Sequence, residues 1–562
     1  MIPLLHHISR SPWRLPQGSR LTALLWAAAA TVAAAPAAAA APRAAPAAVA
    51  VDRADVVAQK LASCLGREDP LCAQAILPEL QALSPQDSAA VEWSRGMVAL
   101  LQGQWPEARA SMQKVAGLPS APAELRERAA GWADVAEASA QVLKDAKAYK
   151  LAGGKVIVWL RPGPDEVLLA YLETVLSKAL PKLEKAFGPA QAPIQFHVYP
   201  RADDLARVSG LTLQQVRTSG TIALCKHNRV MITSPQDLLF GYPWADTAVH
   251  ELVHWFVVKR GGPTVPVWLH EGLARALQGS WRGVAIADLD RDEKVALAAA
   301  RKKGQWIALA KMYPSLAVLP SQEATQLAFA EVHLAVAALL RKVATPAAAD
   351  PLAAAGQVVA RFGQGLAEIT VIHELTGQSP AAFAAACKRD LQALDLRDVG
   401  DAPNIKVPLV FKRGSSAGPV LAADAKRYAE LGDRLAVQRR PVAAAIEYRK
   451  ALAAAPQSGP WVVARLVRVL LDLERPAEAM DYLQPALQAM PDHAPLYVLA
   501  GRLAVQQSRW RDALDALEQA AWLNPYDPQV HSLSAQAHAA IGQEGEAAAA
   551  RARLALVETT AL

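Results

Sequence analysis

Four alanines, Ala445, Ala479, Ala513 and Ala547, stand 34 residues apart in the last quarter of the chain. A fixed period of that length is the strongest constraint in the sequence. A unit so short cannot bury its own apolar face, and must stack on its neighbours to make a core. Pro456, Pro491 and Pro525 recur near the repeat ends, in AAAPQSGP, QAMPDHAP and WLNPYDPQ. Proline stops a helix by removing a donor, and small residues allow two helices to approach closely. Gly501 precedes Ala513 by twelve positions, as Gly96 precedes Ala108 near the other end of the chain.

This layout resembles the tetratricopeptide repeat. The resemblance implies stacked helix pairs over residues 421–562, and one related unit in an all-helical region at 54–150. It also implies a protein substrate or partner recruited by the C-terminal repeats.

At 562 residues the chain exceeds a single core, so two to four domains are expected. With 52% apolar and 20% charged residues most of it is globular. Between the helical ends lies a mixed region at 154–394. Lys155–Arg161 and Pro193–Tyr199 read as strands, with Pro164–Phe187 a helix between them. Thr221–Cys225 and Arg229–Thr233 flank the short turn Lys226-His227-Asn228 and read as a hairpin. From Trp244 the pattern becomes helical, giving an α+β domain of small sheet plus helices. Residues 395–420, with Pro403, Pro408, Gly414 and Pro419, read as the linker into the repeats.

The N-terminus has its own character. Arg10, Arg14 and Arg20 precede or border an apolar run at Leu21–Ala34, and a small-residue stretch follows at Ala35–Ala41. This is the layout of a secretory signal peptide at 1–41, followed by an Ala/Pro-rich leader at 42–53. The run is about 14 residues, short of the roughly 20 needed to span a bilayer. An exported protein, periplasmic or secreted and with no membrane span after signal removal, is expected. Loss of the three arginines lowers the formal charge from +7 to +4. With no basic cluster elsewhere, a nucleic-acid partner is not expected. Cys64 and Cys72 flank the loop of a helical hairpin, and can pair in an oxidising compartment or remain buried thiols. Cys225 and Cys387 lie far apart, and no C-x-x-C pattern offers a cysteine-bound metal.

The chemistry concentrates in His250-Glu251-Leu252-Val253-His254. Residues four apart share a helix face, so the two histidines can offer imidazoles to one ion. Glu251 can reach a water beside it as catalytic base. Asp246 or Thr247 can cap this helix, and Gly261-Gly262-Pro263 stops it. A second helix begins in Val265-Pro266-Val267-Trp268-Leu269-His270-Glu271-Gly272, where Glu271 can swing back as third ligand. Two imidazoles and one carboxylate leave a divalent ion an open position for water and lower that water's pKa. Spacing alone permits several divalent metals.

HELVH followed by VPVWLHEGLA resembles the gluzincin peptidases, and more closely their peptidase MA-like branch, often joined to tetratricopeptide repeats. The segments SGTIALCKHNRVMITSP and KMYPSLAVLPSQ are similar to parts of that branch, so the likeness spans about 154–394. It implies one zinc ion held by His250, His254 and Glu271, with Glu251 as the base. The Gly-x-Met-Glu-Asn segment by which aminopeptidases of this clan grip a free amino terminus is absent, which points away from exopeptidase action. A transition-state donor is not placed by spacing; Tyr242, His227 and Tyr313 are the candidates. His270, about 100° around the helix from Glu271, faces the ion at most through another side chain. Thr221–Cys225 can be an edge strand that takes substrate as an added strand, or an ordinary strand of the sheet. The expected function is an exported zinc metallopeptidase. The alternative is a non-catalytic repeat scaffold or assembly factor with a vestigial peptidase domain.

Overall fold

The computed structural model describes residues 53–558, except 85–87, 215, 217–220, 314, 317–318, 345–349, 398, 400–408, 413–422 and 456–458. The expected signal peptide, residues 42–52 of the leader, Gly220, Pro456 and the linker's Pro403, Pro408, Gly414 and Pro419 lie outside the described residues. The fold is mostly helical, with one small mixed sheet.

The chain divides into two compact units. The first comprises Met1–Gln141, Val257–Val265 and Val359–Glu368. Helices Arg53–Gly66 and Pro70–Leu83 form the expected hairpin, and a disulfide joins Cys64 to Cys72 across its loop. Asp69 caps the second helix by accepting from the Leu71 and Cys72 amides, so the orphan donors of its first turn are met. Helices Ala89–Gln102 and Trp105–Gly117 pair with Ala108 fully buried, as the twelve-residue spacing from Gly96 requires. Arg67 donates to the Gly363 carbonyl at 2.8 Å and Lys259 to that of Glu68.

The second unit comprises Val142–Phe256, Pro266–Val358 and Ile369–Leu562. Its sheet has five strands in the order β1-β2-β3-β5-β4, with β1 Lys147–Leu151, β2 Val156–Leu160, β3 Ile194–Tyr199, β4 Ala223–Lys226 and β5 Arg229–Thr233. The pairs β2–β3 and β3–β5 are parallel, and the outer pairs β1–β2 and β4–β5 antiparallel. A parallel pair needs a crossover, and helix Val167–Phe187 supplies the one from β2 to β3. Leu168, Leu172, Leu176, Leu180 and Leu183 make its buried face. β1 is a correction, because its residues fall partly in the stretch expected to be helical. Its sequence KAYKL is half exposed and lysine-rich, and carries almost no strand signal. In the β4–β5 turn His227 and Asn228 have φ of 58° and 61°, the pair of left-handed residues that a two-residue hairpin demands. β4 lies at the edge of the sheet.

Helix Trp244–Gly261 follows, buried nearly all round by Trp244, Ala248, Val249, Leu252, Val253 and Phe256. Its start corrects the expected caps. Asp246 already lies in the first turn, where it accepts from Arg282 and from the Trp281 indole, both at 2.7 Å. Thr247 donates to the Pro243 carbonyl. Helix Gln322–Val343 is long and apolar enough to cross a membrane, and 72% of its most apolar window is buried inside the fold.

Residues 423–558 form helix pairs, among them Pro476–Ala489, Ala494–Gln506 and Trp510–Leu523. Ala445, Ala479, Ala513 and Ala547 are all buried to within 1%, where the 34-residue period puts a close helix contact. Helices Pro476–Ala489 and Trp510–Leu523 stop just before Pro491 and Pro525. The turns inside the repeats carry Arg439, Glu474, Ser508 and Gly542 at positive φ.

The repeats pack on the sheet region. Trp522 meets the rings of Tyr171, Trp244 and Trp281. The buried carboxylate of Asp165 accepts from Ser234 at 2.6 Å and from Tyr526 at 2.5 Å. The loop between β5 and helix Trp244–Gly261 is stitched twice. Leu239 donates to Val410 and Lys412 to Asp237, while Tyr242 donates its amide to the Leu523 carbonyl.

Candidate metal centre

Helix Trp244–Gly261 presents His250 and His254 on one face, four residues apart, with Glu251 beside them. The turn Gly261–Val265 reverses the chain, and helix Val267–Leu277 starts after Pro266. Gly272 lets this second helix close on Gln322–Val343. A Cβ there would sit 2.5 Å from the Val332 carbonyl oxygen, so any side chain would push the helix and Glu271 outward.

The three expected ligand groups converge. The Nε2 atoms of His250 and His254 lie 3.2 Å apart. Glu271 Oε2 is 3.6 Å from the first and 3.5 Å from the second. Donors of a tetrahedral zinc, each about 2.0–2.1 Å from the ion, are about 3.3–3.4 Å from one another. The triangle therefore has the size such an ion needs, and these three residues could hold one. Their side chains are 13–24% exposed, leaving a path from solvent.

The outer nitrogens are also met. His250 Nδ1 lies 3.2 Å from Gln278 Oε1, which only accepts, so Nδ1 carries a proton and Nε2 is the nitrogen turned to the triangle. His254 Nδ1 lies 2.6 Å from His270 Nδ1. Gln278 Oε1 is also 3.5 Å from Arg275, whose guanidinium pairs with Asp290 and Glu293. Glu293 in turn bonds His333. Gln278 and this network carried no sequence signal, because their spacing from the histidines is set by the second helix's approach.

Burial pushes the Glu251 carboxyl up to about 7; Glu271 adds to the rise, while His254 and the Cys225 amide counter it. The Cys225 contact sets the base against edge strand β4. Burial disfavours a charged Glu271, yet the neighbouring imidazoles of His254 and His250 outweigh it and hold the carboxyl well below its usual range. A poised carboxyl beside a charged one is an arrangement suited to moving a proton.

The three candidate donors are dispersed. Tyr242 is buried and donates to the Thr233 carbonyl; burial first, then the charges of Asp165 and Glu251, raise its pKa well above the usual value. His227 is buried at the hairpin turn, where burial, then Lys226 and Arg229, lowers its pKa. Tyr313 is 44% exposed beside the short helix Leu309–Met312.

The tetratricopeptide repeat family matches residues 470–537. No curated protein matches the chain. Among solved structures, a thermophilic tetratricopeptide-repeat protein of Thermus thermophilus is 22% identical, covering 24% of this chain and 75% of its own, with a TM-score of 0.23. MamA of Desulfovibrio magneticus is 17% identical over 25% of this chain and 78% of its own, also at 0.23. The Cut9–Hcn1 hetero-tetramer of the APC/C matches 90% of this chain and 94% of its own at 12% identity and 0.23. Superpositions this loose carry no argument about the whole chain.

Proposed function

We propose that this chain is a zinc-dependent peptidase of the gluzincin kind, joined to repeats that engage a protein substrate or partner. The observation that carries the reading is the triangle of His250, His254 and Glu271, of the size a tetrahedral ion needs. His250, His254 and Glu271 would hold the ion, which supplies Lewis acidity toward a water and a substrate carbonyl. Glu251 takes the proton from the attacking water and passes it to the leaving amine. Its low exposure and raised pKa suit a group that gains and returns a proton near neutrality. β4, at the sheet edge and within reach of Glu251, offers backbone groups to an extended peptide. The sequence holds no Gly-x-Met-Glu-Asn segment of the kind by which aminopeptidases of this clan grip a free amino terminus, which favours internal cleavage. An oxidising, extracytoplasmic location is in keeping with the Cys64–Cys72 bridge.

A second reading has its own support. The family match lies wholly in the repeats, and so speaks for a protein-binding scaffold more than for catalysis. A scaffold with a retired site needs no base, whereas Glu251 stands buried beside the triangle.

Zinc analysis and digestion of a peptide library, with and without chelator, separate the two. Under the peptidase reading the wild type binds one zinc and cleaves, His250→Ala loses zinc, and Glu251→Gln keeps zinc but not cleavage. Equal, negligible zinc in wild type and His250→Ala ends it. Zinc without cleavage in the wild type favours the scaffold.

A further inference from the structure

The two imidazoles of the triangle are not held alike. His250 gives its Nδ1 proton to an amide oxygen. His254 faces a second imidazole, and a pair of imidazoles sharing one hydrogen bond has two arrangements. In one, His254 Nδ1 carries the proton and donates to a bare His270 Nδ1, leaving His254 Nε2 bare toward the triangle. In the other, His270 Nδ1 donates, and the His254 proton moves to Nε2, where it points at Glu271 and shuts the triangle to a cation. At 2.6 Å between the two Nδ1 atoms one of these arrangements must hold, since two bare nitrogens would repel.

We propose that His270 is the positioning residue of this centre, a hydrogen-bond acceptor whose bare Nδ1 fixes His254 as an Nε2 donor to the metal. The proposal rests on the metal-site reading and assigns a residue beyond it. His270 reaches His254 because it comes from the second helix, immediately before Glu271. The two rings lie close, with the His254 and His270 centroids 4.8 Å apart and their planes tilted by 35°. The same short helix thus delivers one ligand and the orienting partner of another. Outer partners of ligating histidines are commonly carboxylates or carbonyls, which make the imidazole a stronger donor. A neutral imidazole acceptor orients without adding charge. An ion held there would be less neutralised than one whose histidine ligand leans on a carboxylate.

Zinc affinity of the full-length protein, read by competition with a chromophoric chelator, tests this. His270→Phe keeps a ring but has no acceptor, and is expected to bind zinc about 10–100-fold more weakly than wild type. His270→Gln, which restores an acceptor oxygen, should recover most of that loss. Equal zinc affinity in wild type and His270→Phe overturns the proposal while leaving the metal site standing. No zinc uptake by the wild type overturns the metal site and the proposal with it. Should His270→Phe fail to fold, nitrogen NMR of imidazole-labelled, zinc-loaded wild type decides. A protonated His254 Nδ1 with a bare His270 Nδ1 supports the proposal, and a protonated His270 Nδ1 overturns it.

Discussion

The indole of Trp244 donates its Nε1 proton to the carbonyl of Ala521, at 3.0 Å. Trp244 is the first residue of the helix that carries His250, Glu251 and His254, and Ala521 lies in a repeat helix. The repeats therefore fix where that helix begins. Trp522 closes the contact against Trp244, Trp281 and Tyr171. Trp522→Ala should destabilise the second unit by about 2–4 kcal/mol, since the ring is only partly buried. Chemical denaturation followed by circular dichroism measures it, and an unchanged midpoint would show that the ring cluster contributes nothing.

Gly241 has φ of +70°, and a Cβ built on it lies 2.1 Å from the Leu523 carbonyl oxygen. Both facts penalise a side chain. Gly241→Ala is expected to cost more than about 1 kcal/mol, because an alanine there is strained even before the clash. The melting temperature checks it, and a variant as stable as wild type would mean that this loop does not seat on Leu523 in solution.

Asp165 is buried with two hydroxyl donors, Ser234 and Tyr526. Tyr526→Phe removes one while leaving the carboxyl inside. The cost should be about 1–3 kcal/mol. Ser234→Ala should cost a similar amount, and the double variant less than the sum if both serve the same carboxyl. Strict additivity in this cycle would argue against the shared acceptor.

Glu331 is fully buried, and burial pushes its carboxyl up to about 8 against the pull of the Ile307 amide and Lys388. The folded protein thus holds a proton that the unfolded chain releases near pH 4.3. The stability this group contributes is complete below the unfolded value and is lost as pH rises through 8. Glu331→Gln, which keeps the shape without the charge, should flatten that decline and gain stability relative to wild type as pH rises toward 8. Denaturation midpoints between pH 5 and pH 9 test it, and parallel curves for both proteins would exclude Glu331 as the titrating group.

Much of this architecture was legible in the residues themselves. Ala479 and Ala513 announced the repeat because only a small side chain survives where helices touch, and the family match at 470–537 falls on that segment. Arg229–Thr233 was legible to the residue as a strand, since His227 and Asn228 supply the left-handed pair its turn needs. What escaped was what depends on distant partners. β1 is a strand because β2 pairs with it, not because KAYKL favours one. Asp246 looked like a cap, yet its carboxyl is taken by Arg282 and Trp281 more than thirty positions away. At the site, HELVH and the later Glu271 marked the converging triad, and the distances among them agree with what one ion requires. His270, by its angle from Glu271 on their shared helix, was expected to face the ion at most through another side chain. Its contact is with His254 on the other helix, a relation that angular spacing along one helix does not describe.

The stitching of residues 237–242 to Val410, Lys412 and Leu523 has a consequence for how the protein comes into being. On the ribosome, the lead-in to the HELVH helix emerges long before the strands and carbonyls that secure it. A message truncated between Glu271 and the Trp510–Leu523 helix yields a chain with every triad residue but without the Ala521 and Leu523 carbonyls that hold the start of the helix bearing two of them. The contacts that complete the start of that helix are thus supplied only after the repeat helix has been made.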